Sequence, residues 1–342
     1  MTAAAGGTTA GGTTAGGTTA GAAGAVAAGL IRVSRRVVVL GAIVAALALV
    51  AALAGLLWGG GDGASAFTTL RGDTMQVYGR GLYEHDSAFV GAGFRGSDIV
   101  TVALGVPLLV TGLVFYRRGS LRGGLALAGG LTYVLYVYAS LALSAQFNPL
   151  FLVYVALFGA SFYGLVLLLR AIDLAALPAA VVGRLPRRGP AAFMVAGGLV
   201  TTLVWLMPAA SALTSGAVPD RSEGYTTAVT IALDLAVIAP ACFVCGALLL
   251  RRAPLGYLLA FPLLGIIVML GPGFVAQTWW QVAAGVAFAT AEMAGSIGGF
   301  GLVAAFAVWV SVAILRRLPG RGARTAATAG TARAAGDTPH AA

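Results

Sequence analysis

Lysine is missing from this chain: all 21 basic residues are arginine. A Schiff base to retinal or pyridoxal phosphate and a Walker A phosphate loop both need a lysine amine, so both are excluded. Histidine is almost as scarce, with only His85 and His340, and the second sits in a polar tail. Paired-histidine haem ligation inside a membrane is therefore excluded, and no metal site or other cofactor is expected. Charged residues make up only 9% of the chain, where a soluble domain carries about a quarter. That is too little charge to coat a water-facing surface. In its place, 59% of the 342 residues are apolar, and the mean hydropathy is +0.94. The composition reads as an all-α, multi-pass protein of the cell membrane, with the lipid bilayer as its main partner.

Residues 1–30, built on repeated Ala-Gly-Gly-Thr-Thr, have nothing to bury and read as a disordered tail, as do residues 319–342. Between them, residues 31–318 hold eight apolar stretches near the ~20 residues needed to cross a bilayer. They are placed at about 37–58, 99–116, 124–145, 149–169, 191–214, 226–250, 253–272 and 296–315, with a long outer loop at 59–98. The first is expected to be retained, because its apolar run of 22 residues exceeds the usual signal core of about 7–15. Ala64-Ser65-Ala66 nevertheless leaves cleavage of residues 1–66 open. With a cytoplasmic N-terminus, seventeen arginines fall on inner segments and four on outer ones, Arg71, Arg80, Arg95 and Arg221. That asymmetry predicts both termini inside. It also accounts for the +10 charge without a nucleic-acid partner.

Residues 273–295 fit least well. Trp279 and Trp280 suit a membrane interface, and the stretch is expected to lie on or dip into the outer face. A single helix from Val282 to Leu315 would be about 50 Å long, and Gly295, Gly298, Gly299 and Gly301 offer a break. The order Asp98, Pro107, Gly112, Arg117-Arg118 is echoed by Asp234, Pro240, Gly246, Arg251-Arg252. This suggests two parallel four-helix repeats, although any inward-running helix ends in arginines.

Ionisable groups at membrane depth are the first candidates for function. Asp234 is expected ~12 Å below the outer surface, either as a proton- or cation-coupled site or as one interhelical hydrogen bond. Glu292 is shallower. Tyr133 and Tyr136 share a helix face and either line a polar path or bond between helices. They stand in a hairpin closed by Gln146-Phe147-Asn148, which makes Asn148 a further polar candidate. Asp98 follows Ser97 at an expected helix start, where an acid complements the helix dipole. Glu84, His85 and Asp86 form an outer acidic cluster that reads mainly as solvated loop. Gly91-Ala92-Gly93-Phe94-Arg95-Gly96 matches a dinucleotide fingerprint by chance, because no strand precedes it. Cys242 and Cys245 form a C-x-x-C suited to redox work, yet inside an apolar helix cysteine packs as a small hydrophobe.

The strings RRGSLRGGLALAGGLTYVLYVYAS and FNPLFLVYVALFGASFYGL, with the later ALDLAVIAP and ALLLRRAPLGYLLAFPLL, resemble a family of uncharacterised multi-pass membrane proteins from bacteria. The likeness covers roughly residues 78–272. It implies the same helical architecture and brings no activity or functional residue. Members often carry a lysine-glycine pair at the end of the seventh helix, where this chain has Val268-Met269-Leu270-Gly271. The expected function is transport or permeation of a small molecule or ion, leaning away from an enzyme. A redox enzyme using Cys242 and Cys245 stays open, as does a component that recruits a protein partner. Oligomeric state stays open too, although Gly295 and Gly299 form a small-x-x-x-small pair.

Overall fold

The computed structural model describes residues 30–176, 179–216, 223–225 and 228–318. Residues 1–29 and 319–342, where the tails were expected, lie outside them, as do Arg221 and His340. Among the described residues, eight helices are long and apolar enough to cross a membrane. They are α1 (Arg35–Leu57), α2 (Ala88–Arg117), α3 (Leu121–Ser144), α4 (Phe151–Arg170), α5 (Arg188–Ser215), α6 (Val229–Leu250), α7 (Pro254–Ala283) and α8 (Thr290–Leu315). The fold is the all-α eight-helix bundle expected from the apolar runs.

One end of the bundle gathers the arginines. There Arg122 donates to the Leu318 carbonyl at 2.8 Å, and Arg187 donates to the Leu250 carbonyl at 3.4 Å. Tyr116 donates to the Arg32 carbonyl at 2.9 Å, fixing the approach to α1. The other end carries a small antiparallel hairpin of β1 (Ser65–Thr68) and β2 (Thr74–Val77), with Ser65 opposite Val77. The reading of 59–98 as loop throughout missed this hairpin.

Two expected boundaries need correction. The helix expected at 99–116 starts at Ala88, where the Ser87 side chain caps it by accepting from the Val90 N–H at 3.2 Å. Glycine makes this stretch look like a poor helix. Tertiary contact decides otherwise: a Cβ on Gly96 would sit 2.5 Å from the Gln277 backbone, so α2 lies directly against α7 there. Asp98 is consequently inside a helix, not at its cap. Likewise, residues 273–295 do not form a segment separate from the spanning helices. α7 runs on through Pro272 to Ala283, carrying Trp279 and Trp280, and α8 begins at Thr290 with Glu292 in its first turn.

The centre is set by α3 and α7, which are 67% buried over their apolar windows, against 22–39% for the other six. They touch backbone to backbone: a Cβ on Gly265 would collide with the Gly129 Cα. α2 and α6 flank this pair and share an irregularity. α2 opens into a π turn at Thr101–Gly105 just before Pro107, and α6 does so at Asp234–Ile238 just before Pro240. A π turn widens the helix by one residue and often marks a functional position. The two π turns open at Thr101 and at Asp234, whereas Asp98 lies one helical turn before the first of them.

The contact between α3 and α7 makes a prediction. Gly265→Ala should destabilise the bundle by about 1–3 kcal/mol, because the clash is with backbone that cannot rotate away. Gly159→Ala, with nothing within 4 Å of its Cβ, serves as the control and should be neutral. Thermal unfolding in detergent measures both, and equal midpoints would mean that the two helices do not cross at these glycines.

Candidate functional site

Asp234 opens the π turn of α6, and both of its oxygens are occupied. Oδ1 accepts from the Tyr136 hydroxyl of α3 at 2.8 Å. Oδ2 accepts from the Trp205 indole N–H of α5 at 2.7 Å. One half-buried carboxylate therefore joins three spans. It lies about 8 Å along α6 from Val229, because α6 starts later than the apolar run. Trp205 escaped the sequence reading. Its signal was present, since an indole N–H in mid-span has no water to bond and must find an acceptor inside the protein.

Tyr133 stands one turn from Tyr136 but bonds to a different helix. Its hydroxyl lies 3.0 Å from Thr101 Oγ1, in the π turn of α2. The tyrosines of α3 thus meet the irregular turns of both flanking helices. A side chain on Gly105 would collide with the Tyr133 ring at 2.7 Å, so the glycine that ends the π turn also leaves room for the ring.

A second polar group lies towards the hairpin end. Asp98 is 1% exposed and accepts from the Tyr83 hydroxyl at 2.8 Å. Tyr83 belongs to a short 3-10 turn, Gly81–Tyr83, that dips from the loop into the bundle. Burial first, then the nearby Asp98 charge, holds the Tyr83 hydroxyl well above its ordinary pKa, so it acts as a donor. Arg95 spans this region. It donates to the Leu56 carbonyl at 2.8 Å and lies 4.4 Å over the Trp280 ring. Gln277 of α7 adds a bond of 3.0 Å to Ser97.

The outer acidic cluster splits. Glu84 and His85 face outward as a 3.6 Å pair with side chains 38% and 72% exposed, too well solvated to contribute much. Asp86 turns inward and is 1% exposed. Its Oδ1 accepts from the Gln146 N–H at 2.9 Å and from the Tyr225 hydroxyl at 2.8 Å. Tyr225 also accepts from the Ser87 N–H at 3.2 Å, so the α5–α6 connection is pinned onto the start of α2. Asn148, 7% exposed, accepts from the Leu150 N–H at 3.0 Å and closes the turn into α4. Glu292 is exposed in the first turn of α8, where an acid complements the helix dipole. Cys242 and Cys245 are free, 2% and 0% exposed, and Cys245 Sγ donates to the Gly256 carbonyl at 3.4 Å. Among the described residues, no group of three or more His, Cys, Asp or Glu converges to hold a metal ion.

Burial pushes Asp86 up to about 6 from an ordinary 3.8, against the opposing pull of Gln146, Tyr225 and His85. The folded chain then holds this proton more tightly than the unfolded chain. The contribution of Asp86 to stability is full below pH 3.8, falls as pH rises to about 6, and is flat above. Asp86→Asn keeps the oxygen that both donors use and should remove this component, at most about 3 kcal/mol. Thermal unfolding of both proteins from pH 4 to 7 measures it, and parallel curves would refute it. Separately, the two thiols should resist a membrane-permeant maleimide until the protein is denatured, as mass spectrometry will read directly. Comparison with family models, with curated proteins and with solved structures finds no match for this chain.

Proposed function

We propose that this chain transports or conducts an ion or small molecule across the cell membrane, with Asp234 as its coupling residue and both termini cytoplasmic. The seat of Asp234 carries the reading. A carboxylate among apolar helices is costly and is kept where it does work. This one sits where α6 is widened by a π turn ahead of Pro240, held by neutral donors from α3 and α5. Among the described residues no arginine pairs with it, so its charge stays available to a passing cation or proton. Half-burial leaves it accessible, as a coupling site requires. The paired π turns in α2 and α6 also support two parallel four-helix repeats, an arrangement some transporters use.

The redox alternative suits the geometry less well, because both thiols are packed away from water. A partner-recruiting role keeps one observation in its favour: Phe67 and Leu70 on the hairpin are 53% and 108% exposed.

The test is charge movement in proteoliposomes on a solid-supported membrane, under proton, sodium and potassium gradients in turn. The wild type should give a current under one of them, and Asp234→Asn should lose it by a factor on the order of a hundred. Wild-type currents no greater than those of empty liposomes, or an Asp234→Asn current equal to wild type, would refute the proposal.

A further inference from the structure

Among the buried polar atoms that have no hydrogen-bond partner among the described residues, three lie beneath the hairpin on neighbouring segments: Asp86 Oδ2, Asn148 Nδ2 and the Tyr154 hydroxyl. Their residues are 1%, 7% and 1% exposed, and they come from the outer loop, the α3–α4 turn and α4. The rest of each polar group is used. Asp86 Oδ1 takes two donors, and Asn148 Oδ1 takes the Leu150 N–H. The Tyr154 hydroxyl adjoins Asn148 and Tyr83 and feels the charges of Asp86 and Asp98. It meets none of them in hydrogen-bond geometry. Buried polar groups are nearly always satisfied, by protein or by ordered water.

The chemistry of the three atoms identifies the molecule that would complete them. Asp86 Oδ2 wants a donor, Asn148 Nδ2 wants an acceptor, and Tyr154 takes either. A metal cation would suit the carboxylate and be repelled by the amide N–H groups. An anion would suit the amide and be repelled by the carboxylate. Water satisfies all three at once, and three polar partners are what a buried water typically has. The surrounding rings keep bulk solvent away: Tyr138 packs on Tyr154 at 5.9 Å, and Phe94 packs on Tyr83 at 5.5 Å. Beyond Tyr154 stands Tyr83, which already donates to Asp98 Oδ2 at 2.8 Å.

We propose that Asp86, Asn148 and Tyr154 hold one water molecule, and that this water, Tyr154 and Tyr83 form a proton-transfer chain from Asp86 to Asp98. A proton on Asp86 Oδ2 passes to the water, which gives one of its own to the Tyr154 oxygen. The Tyr154 hydroxyl, which lies beside Tyr83 without a hydrogen bond to it, swings into hydrogen-bond distance and passes its proton to the Tyr83 oxygen, and the Tyr83 proton moves to Asp98 Oδ2. Every intermediate oxygen gains one proton and loses one. The net change is a neutral Asp86 becoming a carboxylate and a carboxylate Asp98 becoming an acid. The charged and titratable groups facing the two ends are few. His85 and Tyr225 flank Asp86; Arg95, one turn away on α2, and the hydroxyls of Tyr83, Tyr133, Tyr138 and Tyr154 surround Asp98. Arg95 is held on the Leu56 carbonyl and the Trp280 ring, and its charge acts on Asp98.

This deepens the transport reading by naming the proton as the ion, and rests on that reading only for the use the chain is put to. Infrared difference spectroscopy on the full-length protein in bilayers tests it, at acid pH where both carboxyls carry a proton. The carbonyl bands are assigned with Asp86→Asn and Asp98→Asn. In heavy water the Asp98 band should exchange quickly in the wild type. In Tyr154→Phe it should exchange roughly a hundredfold more slowly, with the Asp86 band unaffected. Asn148→Leu, which removes one of the three partners of the water, should slow it as well and serves if Tyr154→Phe does not fold. Equal Asp98 exchange in wild type and both variants overturns the chain, even where proton current is present and depends on Asp234. Slowed exchange without a current under any of the proton, sodium or potassium gradients leaves the chain standing and removes the transport reading.

Discussion

A carboxylate placed among apolar helices must bring its hydrogen-bond donors with it, because no water is present to supply them. Much of this bundle follows from how three acids meet that demand. Asp234 draws a phenol from α3 and an indole from α5. Asp98 draws a phenol from a loop that has to dip into the bundle to deliver it. Asp86 draws a backbone N–H from the α3–α4 turn and a phenol from the α5–α6 connection. Each acid thus ties its own segment to another, and loss of a donor would leave a buried carboxyl oxygen unsatisfied. The acids act as the cross-links of a fold whose apolar surfaces gain little from one another, since lipid is as apolar as leucine.

Such cross-links need close helices, and glycine provides the closeness. α3 and α7 touch through Gly129 and Gly265, and α2 closes on α3 where a Cβ on Gly112 would meet the Leu127 backbone at 2.7 Å. Only at that separation can the α3 tyrosines reach the π turns on either side. Packing and polar pairing are therefore one constraint in this bundle.

The number of spans and their approximate places were legible because a continuous apolar run admits few other readings. The ends were not. The start of α2, FVGAGFRGSD, is glycine-rich and carries an arginine and an aspartate, so its own propensities argue against helix. Contacts with Tyr78 of the preceding hairpin and with Gln277 and Gln281 hold it, and the last two come from residues far away in sequence. The same holds for α7 beyond Pro272. Of the candidate residues, Asp234 and Tyr136 were read individually and the structure joins them. Asn148 and Asp86 were read as separate features, yet both lie beneath the same cap. Tyr83, Thr101, Trp205 and Tyr225 were missed, since a single aromatic or hydroxyl residue gives no periodic signal and its role exists only through its partner.

The matched π turns allow one more step. The backbone device is the same in α2 and α6, but its contents differ. In α2 it holds Thr101, 0% exposed, against the neutral hydroxyl of Tyr133, within a helix packed on α1, α3 and α7. In α6 it holds a half-buried carboxylate, and among the described residues the extensive neighbours of α6 are α5 and α7. The α6–α7 contact is tightest near the arginine end, where a Cβ on Gly256 would collide with Leu248 at 2.8 Å. α5 rests chiefly on α6, joined where Gly246 admits Val195. A change in the charge or partner of Asp234 therefore acts on a pair of helices anchored at one end and lightly held at the other, whereas the same change at Thr101 would act on a clamped helix. If the proposed coupling moves anything in this bundle, the α5–α6 pair is the element built to move.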